Sequence, residues 1–68
     1  MDLRQLEVFC KVFDLGSFSR AAADLSIAQP TVSGHIKQLE EELGCRLFDR
    51  LGKRIAPTPA ANLLSPYA

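Results

Sequence analysis

The sequence has no tryptophan, one histidine, one tyrosine and two cysteines in 68 residues. It has no long apolar run either. The longest are three residues, Val8-Phe9-Cys10 and Ala21-Ala22-Ala23. A bilayer crossing needs about 20 apolar residues, so no segment here spans a membrane. Asp2, Arg4 and Glu7 interrupt the N-terminus, so no secretory signal is expected. The cysteines form no Cys-x-x-Cys pair, and free thiols in a reducing cytoplasm are the expected state. Net charge is also missing: eight basic residues balance eight acidic ones. That excludes a polycation that coats nucleic acid or membrane indiscriminately. The length allows one domain with one small core and disfavours a large catalytic cleft.

An apolar fraction of 47% is enough for a folded chain. The balanced charge is unevenly distributed. Residues 1–27 carry three basic and four acidic side chains, and residues 28–45 carry one and three. Residues 46–68 carry four basic side chains and one acidic. The basic C-terminal stretch suits phosphate, or is an ordinary solvated surface.

Hydrophobic periodicity predicts three helices. In the first, Leu3, Leu6, Phe9, Cys10 and Phe13 share one stripe, with Asp2 as N-cap and Gly16 as the stop. Val8 and Val12 fall outside that stripe and predict a second contact, with a later helix or another subunit. The second helix opens at Ser17 and runs through Arg20 to Leu25, its three alanines allowing close helix approach. Ser26-Ile27-Ala28 breaks it. The third starts near Gln29 with Pro30 at N1. Val32, Ile36, Leu39 and Leu43 form its inward stripe and Gly44 ends it. Two helices joined by a three-residue turn outline a helix-turn-helix. Cys45–Phe48 and Arg54–Ala56 then predict a two-stranded wing with basic edges. Thr58-Pro59 opens a fourth helix that carries Leu63 and Leu64.

The outward face of the third helix holds Pro30, Gly34, Lys37 and Glu41, flanked by Thr31 and Ser33. Its first two turns are small and polar, so they can approach base edges and phosphates closely. Its last turns carry Glu40, Glu41 and Glu42, which phosphate repels. The helix either enters a groove by its N-terminal half or is structural with a solvated acidic face.

Several runs match a known family in order and spacing. Leu3-Arg4-Gln5-Leu6, Gly16-Ser17-Phe18-Ser19-Arg20-Ala21-Ala22 and Ala28-Gln29-Pro30-Thr31-Val32-Ser33 resemble the N-terminal region of LysR-type transcriptional regulators. Leu43-Gly44, Leu47-Phe48, Arg50 and Thr58-Pro59-Ala60 extend the resemblance over essentially the whole chain. It implies a mainly α fold: a winged helix-turn-helix over residues 1–57 and the start of a dimerisation linker helix over 58–68. The implied function is sequence-specific binding of promoter DNA, without a cofactor, by a cytoplasmic homodimer or tetramer. By position, Gln29, Pro30, Thr31, Ser33, Gly34 and Lys37 would face the major groove, and Arg4 and Arg20 would meet phosphates. Arg50, Lys53 and Arg54 would bring the wing to the minor groove, and Leu63, Leu64 and Tyr67 would begin the dimer contact. Gly34 departs from the family, which often has arginine there. Lys53 replaces a wing arginine and lacks its fork of donors. Family members are several times longer and carry an effector domain that binds a small-molecule co-inducer, so the chain reads as a piece cut within the linker helix.

Other chemistry has little support. His35 lacks a nucleophile and an orienting partner in its sequence neighbourhood. Cys10, His35 and Cys45 lack metal-ligand spacing. No Gly-x-Ser-x-Gly elbow surrounds Ser33. A non-enzymatic chain is expected. The competing reading is a winged-helix protein-interaction module that does not bind DNA.

Overall fold

The computed structural model describes residues 2–51 and 54–64, with side chains described for 2–49 and 55–64. The order is α1 (Leu3–Leu15), α2 (Phe18–Leu25), α3 (Gln29–Leu43), β1 (Phe48–Leu51), β2 (Arg54–Pro57) and α4 (Pro59–Leu64). This is the expected winged helix-turn-helix.

Local signals set most boundaries. Asp2 and Gln5 form a reciprocal capping box: Gln5 N donates to Asp2 Oδ1 at 2.8 Å, and Asp2 N donates to Gln5 Oε1 at 3.3 Å. Ser17 caps α2 by accepting from Arg20 N at 3.2 Å. Thr58 does the same for α4, accepting from Ala61 N at 3.3 Å. Gly16 and Gly44 take left-handed conformations, with φ of 66° and 71°, that end α1 and α3. α3 starts at Gln29, as expected, but its cap lies one residue earlier than a proline at N1 requires. Ala28 is its N-cap, so Pro30 lies one place beyond N1, still within the turn whose N–H groups lack helical partners.

The three long helices pack pairwise around one core, and α4 packs on β2. Val8, Phe9 and Val12 meet Ala21 and Ala22 of α2 and Val32, Ile36 and Leu39 of α3 in this core. Leu47, Phe48 and Ala61 close it from the wing side. Phe48 anchors the wing, its ring centroid 5.6 Å from Phe9 and 6.1 Å edge-on from Phe18. At the surface the Lys11 ammonium lies 2.8 Å from the Asp24 carboxylate, which joins α1 to α2.

Three expectations need correction. The buried line on α1 is Gln5, Val8, Phe9 and Val12, not the stripe that begins at Leu3. Leu3 is 85% exposed, while Leu6, Cys10 and Phe13 are half-buried at the margin. α2 and α3 both pack on α1, and Val8 and Val12 lie in the core that the three share. The second contact expected of these two residues is the core itself. On α3 the buried stripe ends at Leu39, and Leu43 is 38% exposed. The first wing strand starts at Phe48 rather than Cys45, because the amides of Cys45 and Leu47 turn back to bond with Glu40. β1 pairs with β2 antiparallel, Phe48 opposite Pro57 and Leu51 opposite Arg54.

Candidate nucleic-acid interface

α3 leaves Gln29, Pro30, Thr31, Gly34 and Lys37 exposed and Ser33 half-buried. Apart from Ser33, the positions expected on the groove-facing side are therefore open to solvent along the first two and a half turns. No side chain caps the N-terminus of α3. Its positive dipole end is not masked by a capping side chain, although Pro30 has no N–H to offer and the Thr31 N–H donates to the Ala28 carbonyl at 3.0 Å. No Cβ clash surrounds Gly34, which has open space where a side chain would project.

Ser33 and Lys37 also line a groove of about 380 Å³ with Phe18, Ile36, Glu40, Arg46 and Phe48. It runs between α3 and the base of the wing. Arg46 is a residue that the sequence reading counted as basic but assigned no role. It is exposed, donates to the Phe48 carbonyl at 3.4 Å, and lies 3.8 Å from the Asp49 carboxylate. Its place beside Lys37 puts two cations on one groove; only the fold brings positions 37 and 46 together.

The basic residues expected at the periphery differ in commitment. Arg20 is exposed in the first turn of α2. Arg4 is exposed too, but its guanidinium is paired with Glu7 at 2.6 Å. Arg50 and Arg54 stand on facing strands at adjacent register positions; their side chains, Lys53 and Tyr67 lie outside the described residues. Leu63 is 74% exposed and, with Leu43, Cys45, Ala60 and Leu64, lines a second, apolar groove of about 300 Å³.

The acidic end of α3 is not uniform. Glu41 and Glu42 are exposed, but Glu40 is half-buried. Its Oε2 accepts from Leu47 N at 2.7 Å and Phe48 N at 3.4 Å. A second polar link lies at the other side of α3, where Gln5 Nε2 donates to Gln38 Oε1 at 2.9 Å. A third joins the two helices of the motif: the Ser19 hydroxyl donates to Gln29 Oε1 at 3.0 Å.

His35 is half-buried and its Nδ1 has no hydrogen-bond partner among the described residues. Among those residues, no group of three His, Cys, Asp or Glu side chains could hold a metal ion. None of their helices is long and apolar enough to cross a membrane.

The bacterial regulatory helix-turn-helix protein family, lysR type, matches residues 3–62. The chain belongs to the LysR family. It is 44% identical over 68 residues to a RuBisCO operon transcriptional regulator of Allochromatium vinosum, covering all of this chain and 22% of that protein. It is 43% identical over 68 residues to the transcriptional regulator BenM of Acinetobacter baylyi, again covering 22% of the relative. The chain thus spans about a fifth of the length of these curated LysR relatives. In structure it resembles BenM_DBD bound to benA site 1 DNA, with a TM-score of 0.92 and 42% identity over 98% of this chain and 78% of that one. It also resembles CbnR_DBD in its DNA complex, with a TM-score of 0.94 and 31% identity over 98% and 77% of the two chains. Both are winged helix-turn-helix domains of LysR regulators, and this family is one of transcriptional regulators rather than enzymes.

Proposed function

We propose that this chain reads double-stranded promoter DNA as the DNA-binding domain of a cytoplasmic LysR-type regulator. The observation that carries the proposal is the exposed N-terminal half of α3, small, polar and uncapped, on a backbone that matches DNA-bound BenM and CbnR domains. In this reading Gln29, Pro30, Thr31, Ser33, Gly34 and Lys37 lie in or over the major groove, with Glu41 and Glu42 directed away from phosphate. Arg4 and Arg20 meet the backbone on one side. Arg50, Lys53 and Arg54 carry the wing toward the minor groove. Arg46 joins Lys37 as a cation at the base of the wing.

Residues 1–57 form the reading head and 58–68 begin the helix that pairs two copies. Leu63, Leu64 and Tyr67 start that contact, and the apolar groove beside Leu43 supports the assignment. So short a helix gives the 68-residue chain only weak self-association. In the whole regulator the dimer or tetramer, and a co-inducer bound by an effector domain, complete the device.

A salt titration of affinity for selected sites and for random duplex tests the proposal. The expected result is enrichment of a dyad-like site and a log–log slope for a few phosphates per subunit. Ser33→Glu should abolish site preference while the fold survives. Changing Arg50, Lys53 and Arg54 together to Ala should weaken binding to all sequences. Equal, salt-insensitive binding to both DNAs, with the chain paired through a fused coiled coil, overturns it.

A further inference from the structure

The groove between α3 and the base of the wing gathers donors that the fold leaves unused. Ser33, Lys37, Glu40 and Arg46 bring polar groups to it, against an apolar side that includes Ile36 and Phe48 of the core. The Lys37 ammonium and the Ser33 hydroxyl have no hydrogen-bond partner among the described residues. Arg46 commits one Nη to the Phe48 carbonyl at 3.4 Å, and its Nε lies 3.8 Å from the Asp49 carboxylate. Its other Nη has no partner among the described residues. Two cations thus share the groove with one lining carboxylate, Glu40, whose Oε2 already accepts the Leu47 and Phe48 N–H groups. An ammonium, a guanidinium edge and a hydroxyl on one open groove suit an anion with several acceptor oxygens.

The shape of the duplex says which anion that is. A single sugar–phosphate strand separates the major groove from the adjacent minor groove. A domain with a helix in one groove and a wing in the next straddles that strand. The strand must then cross the space between α3 and the wing, which is where Lys37 and Arg46 meet.

We propose that Lys37 and Arg46 clamp one phosphate of the strand that separates the two grooves, with the Ser33 hydroxyl as a third donor. This rests on the DNA reading proposed above. The clamp fixes the register of the domain on the duplex and carries no base preference of its own. It gives Arg46, which ends no helix and reads no base, a place in the interface.

The test uses the selected site with single phosphates replaced, one at a time, by uncharged methylphosphonate. Wild type and Arg46→Ala, Arg46→Lys and Lys37→Ala are compared, each made dimeric by a fused coiled coil. One replacement on the strand between the two grooves should weaken wild-type binding by on the order of tenfold. Arg46→Ala should weaken binding to the unmodified site by a similar factor and flatten the log–log salt slope by about 0.9. It should keep the wild-type order of base preference and lose little more on that one methylphosphonate duplex. Lys37→Ala should be blunted at the same phosphate. Arg46→Lys, which keeps the charge, should restore the salt slope. Thermal melts confirm that each variant is folded. Wild-type affinity and slope in folded Arg46→Ala overturn the proposal and leave DNA binding standing. So does a full methylphosphonate penalty that persists in Arg46→Ala at every phosphate. No site enrichment by wild type removes the DNA reading and this proposal with it.

Discussion

The Glu40 carboxylate accepts the Leu47 backbone N–H at 2.7 Å. The same oxygen takes the Phe48 N–H at 3.4 Å, and the Glu40 carbonyl accepts from Gly44 and Cys45 N–H at 2.9 and 3.2 Å. One residue therefore collects four amides where α3 ends and the wing begins. An acidic run that reads as a solvated helix face contains the pin that sets the angle between the reading helix and the wing. Two backbone N–H groups bonded to Oε2 also stabilise the negative charge that sits in the groove with Lys37 and Arg46.

Glu40→Ala should destabilise the fold by about 1–3 kcal/mol, the range for losing hydrogen bonds to a charged group. Glu40→Gln keeps an acceptor oxygen and should lose less. Urea unfolding followed by circular dichroism gives both values. Equal stability of wild type and Glu40→Ala would mean that the wing is held by Phe48 packing alone.

The corrected face of α1 gives a second test. Val8 is fully buried and Leu3 is 85% exposed. Val8→Ala should cost about 2 kcal/mol through lost burial and the cavity left behind. Leu3→Ala should change stability by about 0.5 kcal/mol or less. The reverse order in thermal melts would restore the stripe that starts at Leu3.

How much of this was legible depended on the distance between partners. Caps at Asp2, Ser17 and Thr58 and stops at Gly16 and Gly44 act within a few residues, so the sequence displays them. The buried line on α1 was harder. Two overlapping arcs of apolar residues compete there, and only the positions of α2 and α3 decide between Leu3 and Val8. The polar links were not legible. Gln5 finds Gln38, Ser19 finds Gln29 and Glu40 finds Leu47 only after the helices have packed. The exposed small residues on α3 were visible from periodicity, whereas the pairing of Lys37 with Arg46 on one groove required the turn at Gly44.

Gly34 carries a third prediction. A glycine inside a helix costs roughly 0.5–1 kcal/mol relative to alanine, and a Cβ at Gly34 meets nothing within 4 Å. Gly34→Ala should therefore stabilise the chain by about that amount in urea unfolding. If α3 enters a groove as proposed, Gly34→Arg should add about one phosphate contact and steepen the log–log salt slope by about 0.9. A destabilised Gly34→Ala would reveal a neighbour that the fold does not show.

The two thiols should react differently. Cys45 is exposed and Cys10 is half-buried. Burial, and secondarily the Asp14 carboxylate, push the Cys10 thiol above its ordinary value of 9.0. Near pH 8 a thiol reagent should modify Cys45 first, with Cys10 slower by on the order of tenfold. Mass spectrometry of briefly labelled protein checks the order. Comparable labelling of both sites at early times would show that α1 opens readily.

Raised proton affinity in two groups makes the alkaline limb of stability informative. Lys11 lies above its ordinary 10.5, mainly because it donates a hydrogen bond to Asp24 and then through that carboxylate's charge. A lysine raised by folding contributes stability that is whole below its unfolded pKa and is lost as pH rises through its folded one. The Cys10 thiol acts in the same direction. Its unfolded form gives up the proton near pH 9.0 while the folded form keeps it, so deprotonation favours unfolding. Stability should fall as pH rises from about 9, first through Cys10 and then through Lys11. Cys10→Ala should flatten the first part of the fall, and Lys11→Met the second. Because Lys11 is well exposed, its share is small and shrinks further in salt. A stability profile that rises across this range in urea titrations would contradict both assignments.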